Sequence, residues 1–150
     1  AVIFQMTYIG IPMISYGDEV GISGGPDPGC RKTMPWEDEE QDKELRDFYS
    51  LLIKLRLNNN ALKRGAFIPL AADRANRIYA FARALGKQVC LVILNLNSKD
   101  TECSIPVRLL HLPQGMEFKD ALSSQICTVT DNKITVQQLE GDFGAILLPA

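Results

Sequence analysis

From Gly65 to the C-terminus, apolar residues come in short runs broken by turn-forming residues. The runs are Phe67–Leu70, Asn76–Arg83, Gln88–Asn95, Glu102–Val107, Met116–Leu122, Ile126–Thr130, Lys133–Leu139 and Phe143–Leu148, and each reads as a strand. Between them, "ALGK" at 84–87 and "TDNK" at 130–133 read as hairpin turns, because Gly and Asn tolerate the positive φ that tight turns need. Val89 to Leu94 is apolar at every position, which marks a central strand covered on both faces. The spacing predicts an antiparallel β-sandwich of about eight strands over residues 65–150.

The N-terminal part has a different rhythm. Val2, Phe4, Met6 and Ile9 read as the last turns of a helix over residues 1–8, ended by Gly10 and kept from resuming by Pro12. Ile11 to Tyr16 is largely apolar and suits a strand of a parallel α/β sheet. "EDEEQDKELRDFYSLLIKLRLNNN" carries a helical stripe through Leu45, Phe48, Tyr49, Leu52, Ile53 and Leu55. Acids at its start (Glu39, Glu40, Asp42, Glu44) and bases near its end (Lys54, Arg56) complement the helix dipole, and Asn58 to Asn60 can stop it. Helix end, strand, loop and helix amount to little more than one β/α unit, which cannot bury its own strand. The boundary falls near Lys63–Gly65, so residues 1–64 and 65–150 are expected to be separate units of a mainly β chain.

Composition narrows the function. With 46% hydrophobic and 23% charged residues in 150, the chain can build a packed core. A net charge of -2 gives no electrostatic case for nucleic acid or an anionic membrane, and no apolar run is long enough to span a bilayer. The sequence starts in mid-pattern without Met or a basic leader, so a piece of a longer protein is expected. Cysteines at 30, 90, 103 and 127 form no CxxC pair, and His111 has no partner at zinc spacing. Reduced, largely buried thiols are therefore expected, with no metal and no cofactor in these residues.

The candidate chemistry sits in the long loop "SYGDEVGISGGPDPGCRKTMPW", residues 15 to 36. Asp18 and Glu19 are neighbours that point to opposite sides of an extended chain, so they are expected to bond loop amides rather than flank one substrate bond. "GGPDPGCRKT" fails as a phosphate loop, because Arg31 stands before Lys32 where glycine is needed, and Pro26 and Pro28 remove N–H donors. Asp27 supplies acceptors and Arg31 a planar fork of donors, a combination that can grip sugar hydroxyls. A plain salt bridge between the two is the alternative. Trp36 is either a sugar-stacking platform or a packing residue at the start of the helix. His111, in "LLHLPQG", reads as a loop or edge residue.

At this point a resemblance enters. "FQMTYIGIPMISYGDEVGISGGPDPGCRKTMPW" with "FYSLLIKLRLNNNALKRGAF" closely resembles the α-amylase family of glycoside hydrolases, and within it the cyclomaltodextrinase, maltogenic amylase and neopullulanase group. The likeness is strong over residues 1 to 67 and continues weakly to "GDFGAILLPA"; the "GGPDPGCRK" loop points to the group. It implies a (β/α)8 barrel followed by a C-terminal β-sandwich, with Ile11–Tyr16 as the eighth strand and residues 41–57 as the eighth helix. The loop would then lie at the carboxyl end of a barrel strand, where such active sites sit. Asp27 and Arg31 match an Asp and an Arg that contact sugar at the non-reducing end of the cleft. Ser15 departs from the family, which usually has an aromatic residue there, so barrel packing is expected to be looser.

The family's Asp nucleophile, Glu acid/base and stabilising Asp belong to earlier barrel strands, and this chain matches none of their motifs. The resemblance thus implies the C-terminal part of an enzyme that hydrolyses α-glucosidic bonds with retention, inactive alone. Its ligand would be an α-glucan oligosaccharide or cyclodextrin, and its compartment the cytoplasm; any calcium site would lie upstream. Exposed barrel surface would favour self-association. Two other readings stay open: a free-standing carbohydrate-binding or interaction module, and a 1,6-glucosidase or transglycosylase of the same family.

Overall fold

The computed structural model describes residues 1–150. Eight strands follow three helices: α1 (Val2–Thr7), α2 (Lys43–Asn58), α3 (Asn60–Arg64), then β1 (Ala66–Asp73), β2 (Ile78–Leu85), β3 (Gln88–Asn95), β4 (Thr101–Pro106), β5 (Glu117–Asp120), β6 (Ile126–Thr130), β7 (Lys133–Leu139) and β8 (Gly144–Pro149). Every strand expected from the apolar runs is present. All pair antiparallel, in the spatial order β1-β2-β3-β8-β5-β6-β7-β4. The ribbon curls so that β1 and β4 approach each other, with Ala71, Ile78, Cys103 and Ile105 lining the seam. One core fills the inside, built from inward residues of β2 to β8 such as Ala80, Leu91, Ile93, Phe118, Ile134 and Leu147.

The turns explain the register. β6 and β7 are joined by two residues, Asp131 and Asn132, both at positive φ, and Thr130 pairs directly with Lys133. That is the turn geometry whose twist matches an antiparallel pair. Gly86, also at positive φ, reverses the chain between β2 and β3.

A second core lies on the outer face of the sheet. Phe81, Cys90, Val92, Leu94 and Ile146 point outward and are covered by Ile3 and Met6 of α1, Tyr49 and Leu52 of α2, and Leu62 of α3. β3 therefore serves both cores. Val89, Leu91 and Ile93 face inward while Cys90, Val92 and Leu94 face the helices, which is why its sequence shows no alternation.

The helices form where the sequence provides caps. The Asp42 carboxylate accepts the Leu45 N–H at 2.9 Å and opens α2. Asn59 closes α2 and opens α3, its side chain accepting the Ala61 N–H at 3.0 Å. α3 ends at Arg64 and β1 begins at Ala66. At the junction Gly65 is tightly enclosed: a Cβ there would lie 2.4 Å from the Ala61 carbonyl oxygen and 2.8 Å from that of Ala84.

One expected element does not form within this chain. Residues 11–16 form no strand. No backbone hydrogen bond reaches residues 9–14, and Ile11 is 96% and Met13 80% exposed. A strand exists only by pairing with a neighbour, and no segment of this chain pairs with residues 11–16.

Candidate functional site

The loop that follows Ile14 is built by its own side chains. The Asp18 carboxylate accepts the Ser15 N–H at 3.3 Å, and Glu19 accepts the Gly17 N–H at 2.9 Å. Both acids thus satisfy loop amides, as their adjacency suggested. Gly17 and Gly21 take positive φ on either side of a short 3-10 turn, which buries Val20 and aims its carbonyl at the Asp42 N–H, 3.1 Å away. That bond fastens the foot of the loop to the start of α2. Higher up, the Tyr16 hydroxyl donates to the Lys32 carbonyl at 2.9 Å and closes the loop across sixteen residues.

Asp27 and Arg31 stand at the far end. Arg31 Nε lies 2.9 Å from Asp27 Oδ1 and Nη2 lies 3.1 Å from Oδ2, a bidentate pair. The segment between them is a tight turn, with the Gly29 N–H donating to the Pro26 carbonyl at 2.7 Å and the Arg31 N–H to that of Pro28 at 3.0 Å. Their side chains are 62% and 74% exposed. The structure thus brings together the two residues singled out in the sequence, and shows them paired with each other. Cys30, between them, is exposed.

Trp36 does not pack against α2. It is 80% exposed, which removes the packing reading of the sequence. His111 caps a 3-10 turn at φ 49 on the far side of the sheet and takes no part in the loop. No group of His, Cys, Asp and Glu is arranged to hold a metal ion. A larger apolar groove of about 800 Å³ runs beside α1 and α2, past Phe4, Phe48, Tyr79 and Phe143, with Asn95 and Asp142 as its polar lining. No residue of the loop reaches it.

Beneath the loop lies a feature the sequence did not disclose. Tyr49 of α2 is buried against Asp18 and Glu19, and burial together with these carboxylates pushes its phenol above the ordinary range. At the other end of α2, Arg56 is 8% exposed and donates through Nη1 to the Met6 and Tyr8 carbonyls, at 2.8 and 3.2 Å, and through Nη2 to that of Gly10. Arg83 of β2 is 2% exposed and donates to the carbonyls of Thr7 at 2.8 Å and Gly65 at 3.0 Å.

Comparison with known proteins places this architecture. No protein-family model matches the chain. It is 47% identical over 128 residues to neopullulanase 2 of Thermoactinomyces vulgaris, a match that takes in 83% of this chain and 21% of that protein. It is also 47% identical over 95 residues to a cyclomaltodextrinase of a Bacillus species, covering 63% of this chain and 17% of the relative. A solved cyclomaltodextrinase superposes on 97% of the chain with a TM-score of 0.83 and 33% identity, the match covering 24% of that structure. An Anoxybacillus α-amylase covers 99% at a TM-score of 0.84 and 28% identity, over 31% of its own length.

The chain belongs to the α-amylase family of glycoside hydrolases. Within the α-amylase family its likeness is to the cyclomaltodextrinase, neopullulanase and maltogenic amylase group. The chain spans about a fifth of the length of these two curated relatives. The antiparallel β fold over residues 66–149 is the one that the solved α-amylase family structures share.

Proposed function

We propose that this chain is the C-terminal part of an α-glucan hydrolase of the cyclomaltodextrinase and neopullulanase kind, and that its loop 15–36 forms one wall of the glucan cleft. In this reading residues 1–64 close a (β/α)8 barrel, α2 is the eighth barrel helix, and residues 11–16 join the sheet as its eighth strand. The absence of any backbone–backbone hydrogen bond at residues 11–14 supports that role, since a ladder partner would supply them. The reaction of the whole enzyme is retaining hydrolysis of α-glucosidic bonds by carboxylates that this chain does not carry.

One observation carries the site reading. Asp27 and Arg31 hold each other in a fixed bidentate geometry yet remain mostly exposed. Each keeps lone pairs or N–H groups for a ligand, and neither has to be ordered when it binds. Sugar hydroxyls, which donate and accept at once, match such a pair. Trp36, exposed near the loop's end, adds an apolar face.

Isothermal titration of the chain with maltotriose tests this. Saturable binding that is lost in Asp27→Ala and in Arg31→Ala is the expected result; binding unchanged in both variants overturns the assignment. The chain alone is expected to release no reducing sugar from cyclodextrin or pullulan. Exposed Ile11, Met13 and Trp36 favour self-association, which light scattering would register as a dimer or larger species. The cytoplasm remains the proposed compartment, in keeping with four free thiols, two of them buried. A free-standing sugar-binding sandwich finds little support: Phe81 is fully buried and Tyr79 half-buried beneath α1, so neither offers a stacking face.

A further inference from the structure

The chain between α1 and the sugar loop has no ladder to hold it, so something else must fix its direction. Its two ends are tied to opposite ends of one helix. At the C-terminal end of α2, Arg56 gathers the carbonyls of Met6, Tyr8 and Gly10; at the N-terminal end, the Asp42 N–H holds the Val20 carbonyl. Fourteen helical positions separate those anchors, or about 21 Å at 1.5 Å each. The ten residues from Gly10 to Val20 could reach about 33 Å when extended. The segment is therefore slack between its ties, and the angle at which it leaves α1 decides its path. Gln5 adds one restraint, donating to the Met13 carbonyl at 2.6 Å. Arg83 adds another from the sheet, holding Thr7 and Gly65 together.

Neither arginine has a carboxylate partner. The ion pairs of the chain join Asp27 to Arg31 and Asp38 to Lys43 and Arg46. Two buried cations instead face the carbonyl end of α1, where the helix dipole favours positive charge. Burial depresses the pKa of both, and the nearby Arg56 charge depresses that of Arg83 further. A neutral amide could satisfy one carbonyl at less expense in desolvation. What guanidinium adds is a rigid fork that holds several carbonyls at set angles.

We propose that Arg56 and Arg83 are positioning residues for the loop that carries Asp27 and Arg31. Arg56 sets the direction in which the chain leaves α1, and Arg83 references that direction to the β-sheet. The β domain is thereby part of the sugar site's geometry. The loop's task as a glucan contact rests on the function proposed above; its placement by the two arginines does not.

Cys30, the exposed thiol, offers a reporter. A nitroxide there and another at Lys87→Cys, in the β2–β3 turn, with Cys103→Ser, give a loop-to-sheet distance by pulsed electron resonance. The parent is expected to show one narrow distribution. Arg56→Met and Arg83→Met should each at least about double its width while amide exchange in β3 and β8 stays slow, a local loosening without global unfolding. Arg56→Lys and Arg83→Lys, which keep the charge but lose the fork, should lie between. Widths equal to the parent's in the Met variants, or in the Lys variants if the Met forms do not fold, overturn the proposal. Maltotriose titration separates the two readings. Widened distributions in a chain that binds no glucan refute the sugar assignment and leave the arginine clamp standing; widened distributions with undiminished glucan affinity also leave the clamp standing and refute the inference that the β domain is part of the sugar site's geometry.

Discussion

The ring of Phe81 stands edge-on to that of Phe4, with centroids 6.1 Å apart and planes at 88°. It also lies 4.9 Å from Phe67 and 6.4 Å from Tyr8, so one side chain of β2 anchors α1 to the outer face of the sheet. Phe81→Ala removes a fully buried ring at this junction. It should lower unfolding free energy by about 3–5 kcal/mol, as measured by urea denaturation. A loss below about 1 kcal/mol would mean that the helices contribute little to the fold.

The Asp27–Arg31 pair should behave in the opposite way. Both side chains are mostly exposed, where ion pairs contribute about 0–1 kcal/mol. The exchange Asp27→Arg with Arg31→Asp keeps a pair of the same charge while reversing which backbone site carries the donors. Its melting temperature should match the parent's, and its maltotriose binding should vanish. A large drop in melting temperature would show the pair to be structural.

The β6–β7 turn gives a stabilising change. Asn132 sits at φ 58, a region that glycine occupies without a Cβ penalty. Asn132→Gly should raise stability by about 0.5 kcal/mol, and Asn132→Val should lower it by about 1–2 kcal/mol. Paired thermal melts would decide both.

Thiol chemistry should divide the cysteines sharply. Cys30 should react first with a disulfide reagent in the native state, whereas Cys90 and Cys127 should react only on unfolding. Burial pushes the Cys90 thiol up to about 12, only partly opposed by Arg83. The unfolded thiol, near pH 8.5, gives up its proton first. Its contribution to stability is therefore complete below that pH and declines as pH rises toward the folded value. Urea midpoints at pH 7, 9 and 10.5 should fall in that order, and the alkaline part of the fall should shrink in Cys90→Ala.

How much of this was legible in the sequence follows from where each signal is local. All eight strands lay open because their apolar runs and turns are short-range: Asp131–Asn132 and Gly86 mark hairpins wherever they occur between apolar runs. α2 was legible through its dipole-matched ends and its Asp42 cap. Residues 11–16 have the apolar character of a strand, but strandhood depends on neighbours, and this chain pairs them with none. Arg83 escaped notice because Tyr79, Phe81 and Arg83 alternate with inward residues and look like a solvent face. Only the helices laid over that face turn it into a core. Arg56 left a trace that could have been followed, since it extends the buried positions Tyr49 and Leu52 along one side of α2. The pairing of Asp27 with Arg31 was visible as an i, i+4 spacing, but their shared exposure was not.

Because β3 gives alternate side chains to two separate interiors, neither interior can melt while the other stays intact. Loosening the helical layer strips one side of the strand on which the inner barrel of side chains also depends. Heat should therefore take the whole chain apart in a single step. Substitutions among Val89 to Leu94 should be felt equally by helix and sheet, whichever way the altered residue points.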